Sequence, residues 1–287
     1  GSRKNILAHY DLGNDFYSLF LDETMTYSCG IFEREKSSLK DASAAKYDRL
    51  CKKLMLKPGD RVLEIGTGWG GFAVHAARSY GVHVTTTTIS DQQHRFAQNR
   101  IKAAGLNGQI TLLKKDYRDL SGKFDKLVSI EMIEAVGHHY YKTFFETCSR
   151  LLNNDGMMAI QAITIGDHIF DRHKRSVDFI KRYIFPGGCV PSITAISNAI
   201  AKATDLRMIH LEDITPHYAR TLREWRRRFF ANLDKVRKMG YPETFIRMWE
   251  FYLCYCEGGF AERYIGDVQM LCAKPMLRWS PTGTGQK

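Results

Sequence analysis

The residues with the plainest chemical reading are Glu64, Gly66 and Gly68, in the run Arg61-Val62-Leu63-Glu64-Ile65-Gly66-Thr67-Gly68-Trp69-Gly70-Gly71. An apolar stretch carrying one acid leads into a glycine-rich turn, and an amphipathic stretch follows. Glycine has no Cβ, so its backbone can approach a ligand closely and adopt positive φ. Strand, glycine turn and helix in that order make a nucleotide-type site at the carboxyl end of a parallel strand. Gly66, Gly68 and Gly71 formally satisfy G-x-G-x-x-G, so a dinucleotide site is one reading. No Gly-Lys-Ser/Thr follows, which excludes a Walker phosphate loop. A dinucleotide site wants an acid on the ribose, yet the run Thr85-Thr86-Thr87-Thr88-Ile89 carries no carboxylate at its tip. Hydroxyl and amide groups, Thr88 and Gln93, are left to meet ribose hydroxyls. In Lys115-Asp116-Tyr117-Arg118, Asp116 could accept from an adenine amino group and Tyr117 could cover the ring face.

These residues need elements to hold them. Short apolar runs predict strands at 62–65, 110–113, 126–130, 156–163, 208–212 and 268–273, and a stretch rich in Thr and Val predicts one at 82–89. Amphipathic stretches predict helices at 72–79, at 91–104 with Ser90 as N-cap, and at 140–152, the last ended by Asn153-Asn154-Asp155-Gly156. Two basic helices are expected at 218–239 and 242–258. The alternation argues an α/β fold with a doubly wound parallel sheet. The expected division is an N-terminal helical cap over 3–58, a ligand-binding core over 59–163 and an inserted helical segment over 164–207. A C-terminal part of the core with basic helices over 208–275 and a disordered tail over 276–287 complete it.

A chain of 287 residues can bury a full core. No apolar run approaches a membrane span and no secretory signal is visible, so the expected location is cytoplasmic. Seven scattered cysteines without a C-x-x-C pair read as reduced thiols, with no metal site. The net charge of +11 points to a polyanionic partner, nucleic acid or the surface of an anionic membrane. The basic clusters at 172–175, 181–182, 223–228 and 235–238 all lie in the second half. No RNA-reading motif accompanies them, so the charge favours a membrane surface over nucleic acid.

The acid-x-Gly-x-Gly form of Glu64, Gly66 and Gly68 resembles the first signature of class I S-adenosylmethionine methyltransferases, which have a Rossmann-like fold. Five segments taken in order make a more specific match. They are His9-Tyr10-Asp11-Leu12-Gly13-Asn14-Asp15-Phe16-Tyr17, Thr26-Tyr27-Ser28-Cys29-Gly30, Glu131-Met132-Ile133-Glu134-Ala135-Val136-Gly137, Tyr183 to Ser192, and His217-Tyr218-Ala219-Arg220. Together they resemble the cyclopropane-fatty-acid synthase family over about residues 5–275. The resemblance implies methylene transfer from S-adenosylmethionine to a cis double bond of a phospholipid acyl chain. It also implies peripheral binding to an anionic membrane, a homodimer, and a bound bicarbonate as base. The 164–207 segment would then help to bind lipid. By resemblance the bicarbonate is held by Cys29 and Ile165 through their backbone, and by Glu134 and Tyr218. Tyr27 and Ser28 would help enclose the cofactor with Glu64, Gly66, Gly68, Thr88 and Gln93. Many family members carry a histidine two residues before the isoleucine matching Ile165, whereas this chain has Ile163. Gln161 points to the same face of the strand and could supply the missing hydrogen bond. That departure opens a second product, a methyl or methylene branch in place of a ring.

The aromatic candidates for an acyl channel are Phe16, Tyr17, Phe179, Tyr183, Phe185, Phe251 and Tyr255. Three other readings are a fatty-acid methyl- or methylenetransferase, a small-molecule N-methyltransferase, and a catalytically silent membrane- or nucleic-acid-binding module on this fold.

Overall fold

The structure, a computed structural model, describes residues 12–278. His9, Tyr10 and Asp11 of the first motif, and the tail from Trp279, lie outside the described residues.

Seven strands form one sheet: β1 (Arg61–Ile65), β2 (His83–Thr87), β3 (Ile110–Leu113), β4 (Phe124–Ile130), β5 (Leu152–Ile165), β6 (Arg207–Asp213) and β7 (Ile265–Ala273). Their order is β3-β2-β1-β4-β5-β7-β6. The expected helices of the first half form as α3 (Gly71–Tyr80), α4 (Asp91–Ala103) and α6 (Tyr141–Leu151), following α1 (Gly13–Ser18) and α2 (Leu39–Lys53). A short α5 (Ile133–Val136) precedes α6. Ser90 accepts from the Gln93 N–H and caps α4, and Ser38 with Asp41 makes a capping box on α2. The strand order reverses between β1 and β4, so a crevice opens at the carboxyl ends of those two strands.

Three expectations are corrected. The sheet is mixed, because β7 runs antiparallel to both β5 and β6. The chain leaves β6 at Asp213 beside Val268 and comes back into β7 at Ile265, at the same end of the sheet. Return to the end just left forces the opposite direction. Asn153-Asn154-Asp155-Gly156 does not end a helix in a turn but lies within β5, which starts at Leu152. A register shift between Phe124 and Lys126 absorbs these polar residues. The basic helix at 218–239 is two helices, α9 (Thr215–Ala231) and α10 (Leu233–Lys238), parted at Asn232. The Asn232 amide bonds the carbonyls of Leu19 and Arg228 in place of continuing the helix.

The segment after β5 holds α7 (Asp167–Arg175), a wide turn at Ile180–Ile184 and α8 (Ile193–Ala203). Ile196 and Ile200 of α8 pack with α6 under the sheet, so α8 belongs to the core layer. The departure from the alternating pattern narrows to the residues between β5 and α8. On the opposite face α2 and α3 cover the sheet through Leu50, Leu54, Phe72 and Ala76. A third cluster joins α1, α9 and α11 (Glu243–Ala261) through Phe16, Phe20, Trp225, Phe229 and Trp249. It closes the crevice from above.

Candidate functional site

A cavity of about 1000 Å³ lies at the carboxyl ends of β1 and β4. Pockets for a single drug-sized ligand run from about 300 to 1,000 Å³, so this one has room for a cofactor and part of a second molecule. One end is the glycine turn. Gly66 and Gly68 have φ of +99° and +53°, in the left-handed region glycine enters without penalty. A Cβ at Gly71 would lie 2.5 Å from the Tyr47 hydroxyl, so the start of α3 is packed to backbone contact.

The residues assigned to the cofactor from sequence, Tyr27, Ser28, Glu64, Gly66, Gly68, Thr88, Gln93, Asp116 and Tyr117, all border this cavity. Glu64 is buried and accepts from the Thr86 hydroxyl at 2.6 Å. Burial pushes its carboxyl up to about 8, against the pull of Thr86 and Lys46. The Thr88 hydroxyl donates to Gln93 Oε1 at 2.8 Å, placing a hydroxyl and an amide together at the tip of β2. Asp116 is engaged fork-on-fork by Arg118, at 2.9 Å to Nε and 2.7 Å to Nη2. That bond to Arg118 holds its carboxyl below the usual range. Tyr117 packs edge-on against Phe144 with ring centroids 5.4 Å apart. The Tyr27 hydroxyl meets that of Tyr252 at 2.9 Å, and Ser28 accepts from the Lys46 ammonium at 2.5 Å.

Three of the five residues assigned to the base, Cys29, Gln161 and Tyr218, converge on Glu131, which was not among the assigned residues. Glu131 follows β4 with φ +48°, an uncommon left-handed value for a residue with a Cβ. Its Oε1 accepts from the Cys29 N–H at 2.9 Å and from Gln161 Nε2 at 2.8 Å. Its Oε2 accepts from the Tyr218 hydroxyl at 2.6 Å. Burial raises the Tyr218 phenol well above its ordinary value, so it stays a donor. The Cys29 thiol is likewise raised by burial and is no nucleophile. Ile165 gives its N–H to the Pro191 carbonyl at 2.9 Å. Glu134 Oε1 accepts from the Ile163 N–H at 2.5 Å, while its Oε2 is buried with no hydrogen-bond partner. Burial, then the Glu131 charge, pushes Glu134 up to about 8.

A bicarbonate therefore does not fit these residues. The N–H and O–H groups meant for it are spent on Glu131 or on Pro191, and only the Glu134 carboxyl is left. The Glu131 carboxylate itself has the charge and the planar two-oxygen face of the implied anion.

Behind it stand two further buried ionisable groups. Asp267 on β7 shares the Gln161 amide, at 3.3 Å. Burial and the Glu131 charge raise its carboxyl well above the ordinary value. Lys46 is fully buried and lowered to about 8 by burial. Neither Lys46 nor Asp267 carried a local signal, because each sits singly in a stretch that reads as helix or strand. Glu131 did carry one, an acid one residue past a parallel strand in an apolar run, at the edge where ligands bind.

The other end of the cavity is apolar, with Ile163, Ile180, Phe185, Leu222, Phe260 and Ile265. Phe16 and Tyr17, proposed for an acyl channel, are instead buried core of the α1–α9–α11 cluster. Phe179, Tyr183, Phe251 and Tyr255 form one aromatic patch, with Phe179 and Phe251 edge-on at 4.7 Å, and it reaches the cavity through Tyr255. Three of the four keep about half of their surface exposed (Tyr183 55 %, Phe251 50 %, Tyr255 46 %). Arg172, His173 and Lys181 also line the cavity. No helix among the described residues is long and apolar enough to cross a membrane.

Residues 1–270 match the family described as "Mycolic acid cyclopropane synthetase". The chain is 42% identical over 275 residues to tuberculostearic acid methyltransferase UfaA1 of Mycobacterium tuberculosis, covering 93% of this chain and 64% of that one. It is 40% identical over 263 residues to the cyclopropane-fatty-acyl-phospholipid synthase of Escherichia coli, covering 91% of this chain and 65% of that one. It thus spans about two thirds of the length of these relatives. Among solved structures it resembles mycolic acid cyclopropane synthase CmaA1 complexed with SAH and CTAB, with a TM-score of 0.88 and 34% identity. That match covers 96% of this chain and 99% of that one. The chain belongs to the mycolic acid cyclopropane synthetase family.

Proposed function

We propose that the protein transfers a one-carbon unit from S-adenosylmethionine to the cis double bond of a phospholipid acyl chain and closes a cyclopropane ring. The observation that carries the reading is Glu131: a carboxylate held by three donors, between a glycine-turn cofactor site and an apolar pocket. Glu64, Gly66, Gly68, Thr88, Gln93 and Tyr27 would hold the cofactor, which supplies an electrophilic sulfonium methyl. The apolar walls keep water from the cation left on the chain once the new carbon–carbon bond has formed. Glu131 then takes a proton from the added carbon, and the electron pair of that C–H bond closes the ring. No step needs a free anion. A second reading, methyl- or methylene-branch formation, is favoured by the tether. A carboxylate fixed to the chain can be aimed at a different C–H bond of the same cation.

The exposed aromatic patch and the cations lining the cavity support an anionic membrane surface as the place of reaction. The fit to the acyl substrate is tested with unsaturated phosphatidylglycerol vesicles, S-adenosylmethionine and lipid mass spectrometry. A gain of one CH₂ with loss of the alkene is the expected result, and a retained alkene selects the second reading. Methylation of soluble amines with no lipid product would overturn both. Glu131→Gln keeps the shape and lowers turnover by about 10²–10⁴ with affinity for S-adenosylhomocysteine retained. Stripping bicarbonate from the buffer leaves the parent enzyme's rate unchanged.

A further inference from the structure

We infer that Lys53, remote from the cavity, is a positioning residue for the proton-accepting carboxylate, because it sets the direction of a row of amides that ends at Glu131. The inference rests on the reading of Glu131 as the base. Across the sheet, Glu212 on β6 stands opposite Gln269 on β7, and Gln269 opposite Gln161 on β5. Beyond the end of β4, the Glu131 N–H donates to the Gln161 carbonyl at 2.8 Å. Gln161 and Gln269 are fully buried, at 0% and 1% exposure, so water cannot satisfy either amide. Lys53 ends α2. Its ammonium donates to Gln269 Oε1 at 2.8 Å and to Glu212. Arg49 holds the other Glu212 oxygen at 2.7 Å.

A glutamine amide has nearly the same shape either way round, so its partners decide which end faces where. An ammonium carries three donors and no acceptor. Lys53 must therefore meet an oxygen. That turns the Gln269 oxygen toward α2 and its NH₂ toward β5. The NH₂ donates to Gln161 Oε1 at 3.0 Å. The Gln161 NH₂ is thereby turned toward Glu131, at 2.8 Å, and Asp267, at 3.3 Å. With either amide reversed, the Gln161 oxygen would face the Glu131 carboxylate, oxygen against oxygen. The carboxylate would then rotate away or take up a proton, and in both cases stop accepting one from the substrate at that place. Lys53 does not line the cavity. Its effect on chemistry passes through two amides.

The test uses the full chain with unsaturated phosphatidylglycerol vesicles and S-adenosylmethionine, read as turnover, lipid product ratio and calorimetric affinity for S-adenosylhomocysteine. Lys53→Met keeps the stem and removes the donors. Gln269→Leu breaks the row and leaves the Lys53–Glu212–Arg49 group in place. Both are expected to lower turnover about tenfold and to raise the share of misquenched products, water adducts and displaced alkenes, with cofactor affinity unchanged. Lys53→Arg restores both readouts. A lower melting temperature with an unchanged product ratio in both variants overturns the inference, because a purely structural role gives that pattern. Glu131→Gln run in parallel separates the two levels. If it alters products and neither Lys53→Met nor Gln269→Leu does, this inference falls alone. If it alters nothing, the assignment of the base falls first.

Discussion

A carboxyl group buried without a full counter-charge stays protonated until a cation arrives. Glu64 is in that state, with burial pushing it up to about 8. Near neutral pH it is mostly uncharged in the cofactor-free protein. A ligand carrying an ammonium or sulfonium beside it favours the carboxylate, so binding displaces a proton. The sign follows: affinity for S-adenosylhomocysteine should rise between about pH 6 and pH 8 and level off above. Calorimetry at pH 7 in two buffers of different ionisation enthalpy should register release of up to about one proton. Glu64→Gln should abolish the buffer dependence. Binding heats identical in both buffers for the parent protein would refute the linkage. The same scale explains why Glu134 attracted attention in the sequence and Glu131 did not. Both are acids in one apolar run after a strand. Which of them gathers the donors depends on a left-handed residue at the strand end, and no spacing rule announces positive φ at a glutamate.

At the scale of elements, the glycine turn does most to place the site. Its positive φ values are legible in the sequence, because glycine enters that region freely, whereas its contact with α2 emerges only from the structure. Gly71→Val sets a side chain against the Tyr47 hydroxyl, itself bonded to Thr26 at 2.5 Å. We expect it to cost about 1–3 kcal/mol by overpacking, seen as a lower melting temperature, and to weaken S-adenosylhomocysteine binding. Unchanged stability and affinity would mean that the α2–α3 contact gives way freely. Strands β1, β3 and β4 were legible as short runs rich in apolar residues, and β2 through its β-branched Val and Thr residues. The direction of β7 was not, since an antiparallel edge and a parallel one have the same composition. Direction depends on where α9 to α11 deliver the chain. The broken basic helix is a further instance: the sequence around Asn232 has helical periodicity, and only the carbonyls of Leu19 and Arg228 reveal why the helix stops there.

For the whole molecule the question is how a chain with a net charge of +11 would meet the proposed water-insoluble substrate. Ion pairs leave that excess unchanged, but they engage the basic clusters of α9 and α10. Arg223 and Arg226 both meet Glu257, Arg227 meets Glu224, and Arg237 meets Glu243. What stands out beside the cavity is the exposed aromatic patch of Tyr183, Phe251 and Tyr255, the last of which lines the cavity. Sedimentation with phosphatidylglycerol vesicles should pull the protein down at low salt and release much of it near 0.5 M salt, where the screening length drops to about 4 Å. Phe251→Ala with Tyr255→Ala should weaken binding severalfold at every salt concentration, because the apolar share is unscreened. Equal binding to neutral vesicles would remove the electrostatic half of this picture. The aromatic candidates show the limit of composition: Phe16 and Phe251 are alike in sequence, and one is core while the other faces solvent.

The backbone at position 131 has one more implication. It occupies a region of conformational space that glycine enters freely, so the backbone could keep its course there without the side chain, at the cost of an acceptor for three buried donors. Doing so would leave the Cys29 N–H, the Gln161 amide and the Tyr218 hydroxyl around a vacancy the size of a small oxyanion. Under the role proposed for Glu131, the scaffold would carry its proton acceptor covalently, a glycine there would have to borrow one from solution, and a single nucleotide change, glutamate codon to glycine codon, would separate the two modes of supply.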